Sequence, residues 1–118
     1  MTRRIPVLRV AEDNLTTSVI DLCRVLHIDM RYHPHDSRDS EFGWPDWVLL
    51  GPLRDGRRHC LIRELKSDTG RVSAAQRAWV DGLREAGIDA DVWTPDDLRS
   101  GRIERELKAL ARARRVEG

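Results

Sequence analysis

Asp46 follows Gly43-Trp44-Pro45, and eighteen residues further on stands Glu64-Leu65-Lys66. Both acids border apolar runs, Val48-Leu49-Leu50 and Leu61-Ile62. Such runs read as strands, where side chains two apart share a face, so Glu64 and Lys66 point together and Leu65 points away. Gly51-Pro52 and Asp55-Gly56 between them supply a hairpin turn. Paired strands lie about 4.8 Å apart, and in a hairpin the start of one meets the end of the other, so Asp46, Glu64 and Lys66 converge. Two acids and an amine at the mouth of an apolar sheet are costly to desolvate unless something compensates. A hard divalent cation does so: magnesium takes oxygen ligands at about 2.0–2.1 Å, usually one or two carboxylates with waters and phosphate oxygens. Asp46 and Glu64 offer the carboxylates, and the carbonyl oxygen of Leu65 a third protein ligand. A magnesium ion there would polarise a phosphate and acidify a bound water. Lys66 holds the attacking water or neutralises charge on the phosphoryl oxygens. Such a cluster would suit phosphodiester hydrolysis, which needs its barrier lowered by on the order of 20 kcal/mol.

The elements that must position these groups follow from periodicity. Leu15, Val19, Leu22 and Leu26 recur at helical spacing, predicting a helix over 12–27 that opens near Glu12. Residues 28–33 alternate as a short strand, and the polar segment from Pro34 to Pro45 is a loop. The site strands cover 46–50 and 60–66. Ser73 and Gln76 have capping-box spacing, starting a helix near 74 whose apolar stripe is Val72, Ala75, Trp79 and Leu83, with Gly87 at its C′ position. A fourth strand runs from Ile88 to Trp93. Thr94-Pro95-Asp96-Asp97 then opens a helix, or a broken pair of helices, reaching about residue 114. The order is helix, three strands, helix, strand, helix: an α/β fold with a central mixed four-stranded sheet flanked by helices.

Length and composition bound the possibilities. At 118 residues the chain makes a single domain, with a core over about 12–98 and a basic C-terminal helix over 99–118. No apolar run approaches the ~20 residues of a spanning helix, and no apolar stretch follows the basic N-terminus as a secretion signal would require. The expected compartment is the cytoplasm, with no membrane partner. Twenty-one Lys and Arg against 20 Asp and Glu leave a net charge of +1, so bulk charge does not announce a nucleic-acid binder. Arginines do cluster, at 54–77 and 99–115, where they could track phosphates or simply form solvated faces. Cys23 and Cys60 match no metal or disulfide spacing and read as small reduced core residues.

The pattern Gly43-Trp44-Pro45-Asp46, Glu64-Leu65-Lys66, Gly70-Arg71 with Ser73 and Gln76, together with Glu12 and the element order, resembles the PD-(D/E)XK nuclease superfamily. Within it the chain is similar to the small phage and bacterial VRR-NUC domains, related to Holliday-junction-resolvase-like nucleases. Ala78-Trp79, Gly87, Trp93-Thr94-Pro95-Asp96, and Tyr32-His33 with Asp36-Ser37-Arg38 share the likeness. It implies a restriction-endonuclease-like core and a magnesium- or manganese-dependent DNA endonuclease, one that can be structure-specific for branched or junction DNA. Asp46 and Glu64 match the metal carboxylates, Lys66 the catalytic lysine, Gln76 a first-turn glutamine facing the site and Glu12 the first-helix acid. Arg63 departs from the pattern, since a charged residue there suits a strand near the sheet edge or close to DNA. Trp44 and Trp47 stand where smaller residues are usual.

Each residue also has a plain structural reading. Gln76 could act only as a cap with Ser73. Glu12 could be a first-turn acid favoured by the helix dipole. His33, His35 and Asp36 match no closed zinc set and read as loop polarity, with His33 at a strand end able to face the site. Arg38, Arg71, Ser73 and Arg77, with the C-terminal arginines, are candidate DNA contacts. A homodimer is expected because paired cuts need two sites. The competing function is a catalytically inactive DNA-binding or assembly module that kept the fold.

Overall fold

A computed structural model describes residues 12–33 and 42–112, with the side chains of residues 12 and 13 excepted. The elements run α1 (Glu12–Val25), β1 (Met30–Tyr32), β2 (Trp47–Leu50), β3 (Cys60–Leu65), α2 (Ala74–Glu85), β4 (Asp89–Trp93), α3 (Pro95–Arg99) and α4 (Arg102–Arg112). The sheet order is β1-β2-β3-β4. β1–β2 and β2–β3 are antiparallel, and β3–β4 is parallel through the α2 crossover. The expected order and mixed sheet are present, and the last helical stretch is the broken pair.

Local chemistry explains the boundaries. Between β2 and β3, Asp55 and Gly56 both have positive φ (53° and 74°), the pair of left-handed residues that a tight hairpin turn requires. Arg54 and Arg57 exchange both backbone hydrogen bonds across it, at 2.8 and 2.9 Å. α2 begins with a full capping box at Ser73 and Gln76, and α3 with a second at Thr94 and Asp97 with Pro95 in the first turn. α2 ends as the sequence suggests: Gly87 N–H donates to Arg84 O and Ile88 N–H to Leu83 O.

β3 is an interior strand, and each of its faces is covered. On one face Leu61 and Leu65 join Leu49, Trp47 and Trp93 under α1 and α4, with Leu15, Val19, Ile103, Leu107 and Leu110 completing the main core. Each large side chain so buried contributes roughly 1.5–3 kcal/mol. On the other face Ile62 packs with Val80 of α2 and Ala90 of β4. Cys23 is buried, Cys60 partly so, and both are free thiols. Burial lifts the Cys23 thiol to about 11, the opposing charge of Arg31 being a smaller effect.

Arg63 corrects one expectation. It lies on the central strand, away from any sheet edge, and is 2% exposed beneath α4. A charge is tolerated there because its guanidinium is fully engaged. Nη1 donates to the carbonyls of Asp89 and Ile62 at 2.8 and 3.1 Å, and Nη2 lies 3.0 Å from both Asp89 and Glu106 carboxylates. Cζ also sits 5.2 Å from the Trp93 ring centroid.

Candidate active site

The site forms where β2 begins and β3 ends. The β2–β3 register pairs Trp47 with Arg63, and one more step sets Asp46 opposite Glu64 on the face away from α4. Asp46 Oδ2 accepts from the backbone N–H of Leu65 at 2.8 Å. One carboxylate is thus held against the peptide that joins the residues carrying the other acid and the lysine. Glu64 is 2% exposed. Its Oε2 lies 3.6 Å from Lys66 Nζ and accepts from Gln76 Nε2 at 2.8 Å. Lys66 is itself fixed by its backbone N–H, which donates to Trp93 O at 3.0 Å across β4.

Gln76 makes both of the contacts open to it. Its Oε1 accepts from Ser73 N–H at 2.9 Å while its Nε2 reaches Glu64, and Ser73 Oγ accepts from Gln76 N–H at 3.1 Å. The capping box thereby aims the amide into the site. α2 is set against the Asp46 loop by Gly43, whose added Cβ would lie 2.7 Å from the Ala75 carbonyl carbon. Trp79 Nε1 also donates to Phe42 O at 3.2 Å, and Trp44 meets Trp79 edge-on. The two tryptophans beside Asp46 therefore have structural duties, Trp44 against α2 and Trp47 in the main core.

The other candidates separate. Arg71 and Ser73 are exposed at the start of α2. Arg77 is exposed and pairs with Asp81 at 3.7 Å. Arg99 and Arg102, read as possible phosphate contacts, are used within the fold: Arg99 meets Asp68 and Asp96, and Arg102 meets Asp91, Asp97 and Glu106. Arg38, His35 and Asp36 lie outside the described residues. Glu12 opens α1, but its side chain is outside them too. His33 was read mainly as loop polarity, yet its Nδ1 lies 2.8 Å from Asp46 O. Strand pairing held the signal, because continuing β1 past Tyr32, which faces Val48, sets His33 beside Trp47.

A mixed sheet whose central antiparallel pair carries Asp on one strand and Glu-x-Lys on the next is the arrangement of the PD-(D/E)XK nuclease superfamily, and it defines a nuclease-type fold. Within that superfamily the chain belongs to the VRR-NUC domain family, whose model matches residues 7–96. A solved structure of a VRR_NUC domain protein superposes with a TM-score of 0.63 at 20% identity, covering 89% of this chain and 93% of that one, a likeness of fold. Comparison with curated proteins finds no match.

Proposed function

We propose that the chain is a divalent-metal-dependent DNA endonuclease. The observation that carries this reading is a buried Glu64 carboxylate in contact with Lys66 and Gln76, with Asp46 held to the intervening Leu65 peptide. Among the described residues no three His, Cys, Asp or Glu side chains gather. The donor set is therefore two carboxylates and a backbone carbonyl, all hard oxygens, and such a set fits magnesium, which keeps several waters and needs one or two protein carboxylates. Asp46, Glu64 and the Leu65 carbonyl would hold Mg2+ or Mn2+, with Glu12 a further acid on α1. Such an ion supplies Lewis acidity toward the scissile phosphate and lowers the pKa of water.

The chain's own groups do the rest. Gln76 and Lys66 orient Glu64, and Lys66 places positive charge where the phosphoryl oxygens become more negative. Arg71 and Ser73 just before α2 and Arg77 on its first turn, with Arg38, would meet the DNA backbone. Two such sites in a homodimer would permit paired cuts in branched or four-way DNA.

The test is cleavage of linear, flapped and four-way DNA with magnesium or manganese by the wild type and by Asp46→Asn, Glu64→Gln and Lys66→Ala. Each substitution should lower cleavage by 100-fold or more, on the order found when one charge-stabilising group is lost, while salt-sensitive DNA binding persists. Full activity in excess chelator overturns the metal requirement. Binding without cleavage under any metal would establish the inactive DNA-binding module instead, and light scattering decides the dimer.

A further inference from the structure

We infer that His33 is a positioning residue for Asp46, an inference that rests on the metal-nuclease reading above. Asp46 is gripped at two points. Its carboxylate accepts from Leu65 N–H at 2.8 Å on the β3 side, and its own carbonyl oxygen lies 2.8 Å from His33 Nδ1 on the β1 side. A carbonyl oxygen can only accept, so Nδ1 carries the proton and donates. The ring is held in turn, stacked on Trp47 with centroids 4.5 Å apart and planes 13° from parallel. Trp47 is buried in the main core, so the imidazole rests on a fixed platform.

The chain needs this donor for a reason visible in the β1–β2 pairing. Residues facing one another sum to 80, as Tyr32 and Val48 do. His33 is followed in the sequence by Pro34, which has no N–H to donate. The His33 side chain supplies what the backbone lacks. Asp46 lies one residue before β2 and its ladder begin, so its carbonyl contact limits how its peptide can rotate. Rotation of that peptide would swing the carboxylate away from Glu64. Groups that orient a metal ligand typically account for about 10–100-fold in affinity or activity when removed.

Two variants separate the hydrogen bond from the stack. His33→Phe keeps a ring on Trp47 and removes the donor, and His33→Asn keeps an amide donor near the Nδ1 position and removes the ring. Mn2+ binding to the full chain is titrated by calorimetry without DNA, and kcat and KM are measured on a cleaved DNA, with circular dichroism reporting folding. His33→Phe should bind Mn2+ about tenfold more weakly and lose about tenfold in kcat, with KM for DNA little changed. His33→Asn should return to within about threefold of wild type. Wild-type Mn2+ affinity in folded His33→Phe overturns the inference and leaves the nuclease reading intact. So does a folded His33→Asn that loses at least tenfold in Mn2+ affinity, which also decides the matter if the Phe variant does not fold. A wild type that neither binds Mn2+ nor cuts overturns the nuclease reading, and the inference falls with it.

Discussion

At the residue scale, Gln76 shows how one side chain can answer two demands. Its amide oxygen completes the helix cap and its amide nitrogen meets Glu64. Gln76→Glu keeps an acceptor for Ser73 N–H but sets a carboxylate where Glu64 needs a donor. The cap should persist, but stability should fall by about 1–3 kcal/mol because the buried Glu64 carboxylate loses a donor and meets a like charge, while cleavage falls by about tenfold or more. Gln76→Ala should lose both, and unchanged cleavage by both variants would remove Gln76 from the site. The cap was legible from Ser73 and Gln76 three residues apart. That Asp46, Glu64 and Lys66 come together was legible because strand alternation and hairpin geometry settle which side chains share a face. The grip of His33 on Asp46 was not, since it depends on the register of a three-residue strand whose limits periodicity cannot set.

At the element scale, the site depends on α2 lying close against the loop that delivers Asp46, and Gly43 sets that distance. Gly43 has φ +86°, and a Cβ there would press into the Ala75 backbone, one residue from Gln76. Gly56 offers a control: its φ is also positive, at +74°, but nothing stands within 4 Å of an added Cβ. Gly56→Ala should cost about 1–2 kcal/mol of backbone strain alone and leave cleavage unchanged. Gly43→Ala should cost about 2–4 kcal/mol, strain plus overpacking, and lower cleavage by displacing Gln76 from Glu64. Denaturant unfolding and DNA cleavage on both variants check this, and equal losses would show that the contact with Ala75 is slack. The end of α2 follows from Gly87, readable in the sequence, whereas α1, read to residue 27, stops at Val25 because His27 takes a left-handed turn (φ 59°) that no sequence pattern announced. The position of Gly43 against Ala75 joins elements about 30 residues apart, and no local pattern encodes it.

At the scale of the whole molecule, α4 is bound to the sheet by charge as well as by its apolar stripe, and this explains why Arg63 on the central strand defied a reading based on exposure. Glu106 is the hub. Its Oε1 accepts from Trp93 Nε1 at 2.8 Å and pairs with Arg63 at 3.0 Å, and its Oε2 pairs with Arg102 at 2.7 Å. Burial pushes the Glu106 carboxyl upward, but the Trp93 hydrogen bond and the Arg102 and Arg63 guanidinium groups outweigh it and hold it below its ordinary value. Asp91 behaves likewise: burial raises it, and the Val92 backbone N–H with Arg102 brings it lower. A carboxylate with a depressed pKa in the folded state adds stability above its unfolded value, about 4.3 for a glutamate, and that stability is lost as pH falls through the folded value. The melting temperature should therefore hold steady from pH 7 to about 5 and then decline. Glu106→Gln should cost about 2–3 kcal/mol at pH 7, less than the fullest penalty for breaking a buried pair because Asp89 still faces Arg63 and Glu106 is partly exposed. The same variant should decline less steeply below pH 5, since one proton-linked group is gone. A wild-type slope preserved in Glu106→Gln would place the acid sensitivity elsewhere and reduce this carboxylate to a neutral hydrogen-bond acceptor.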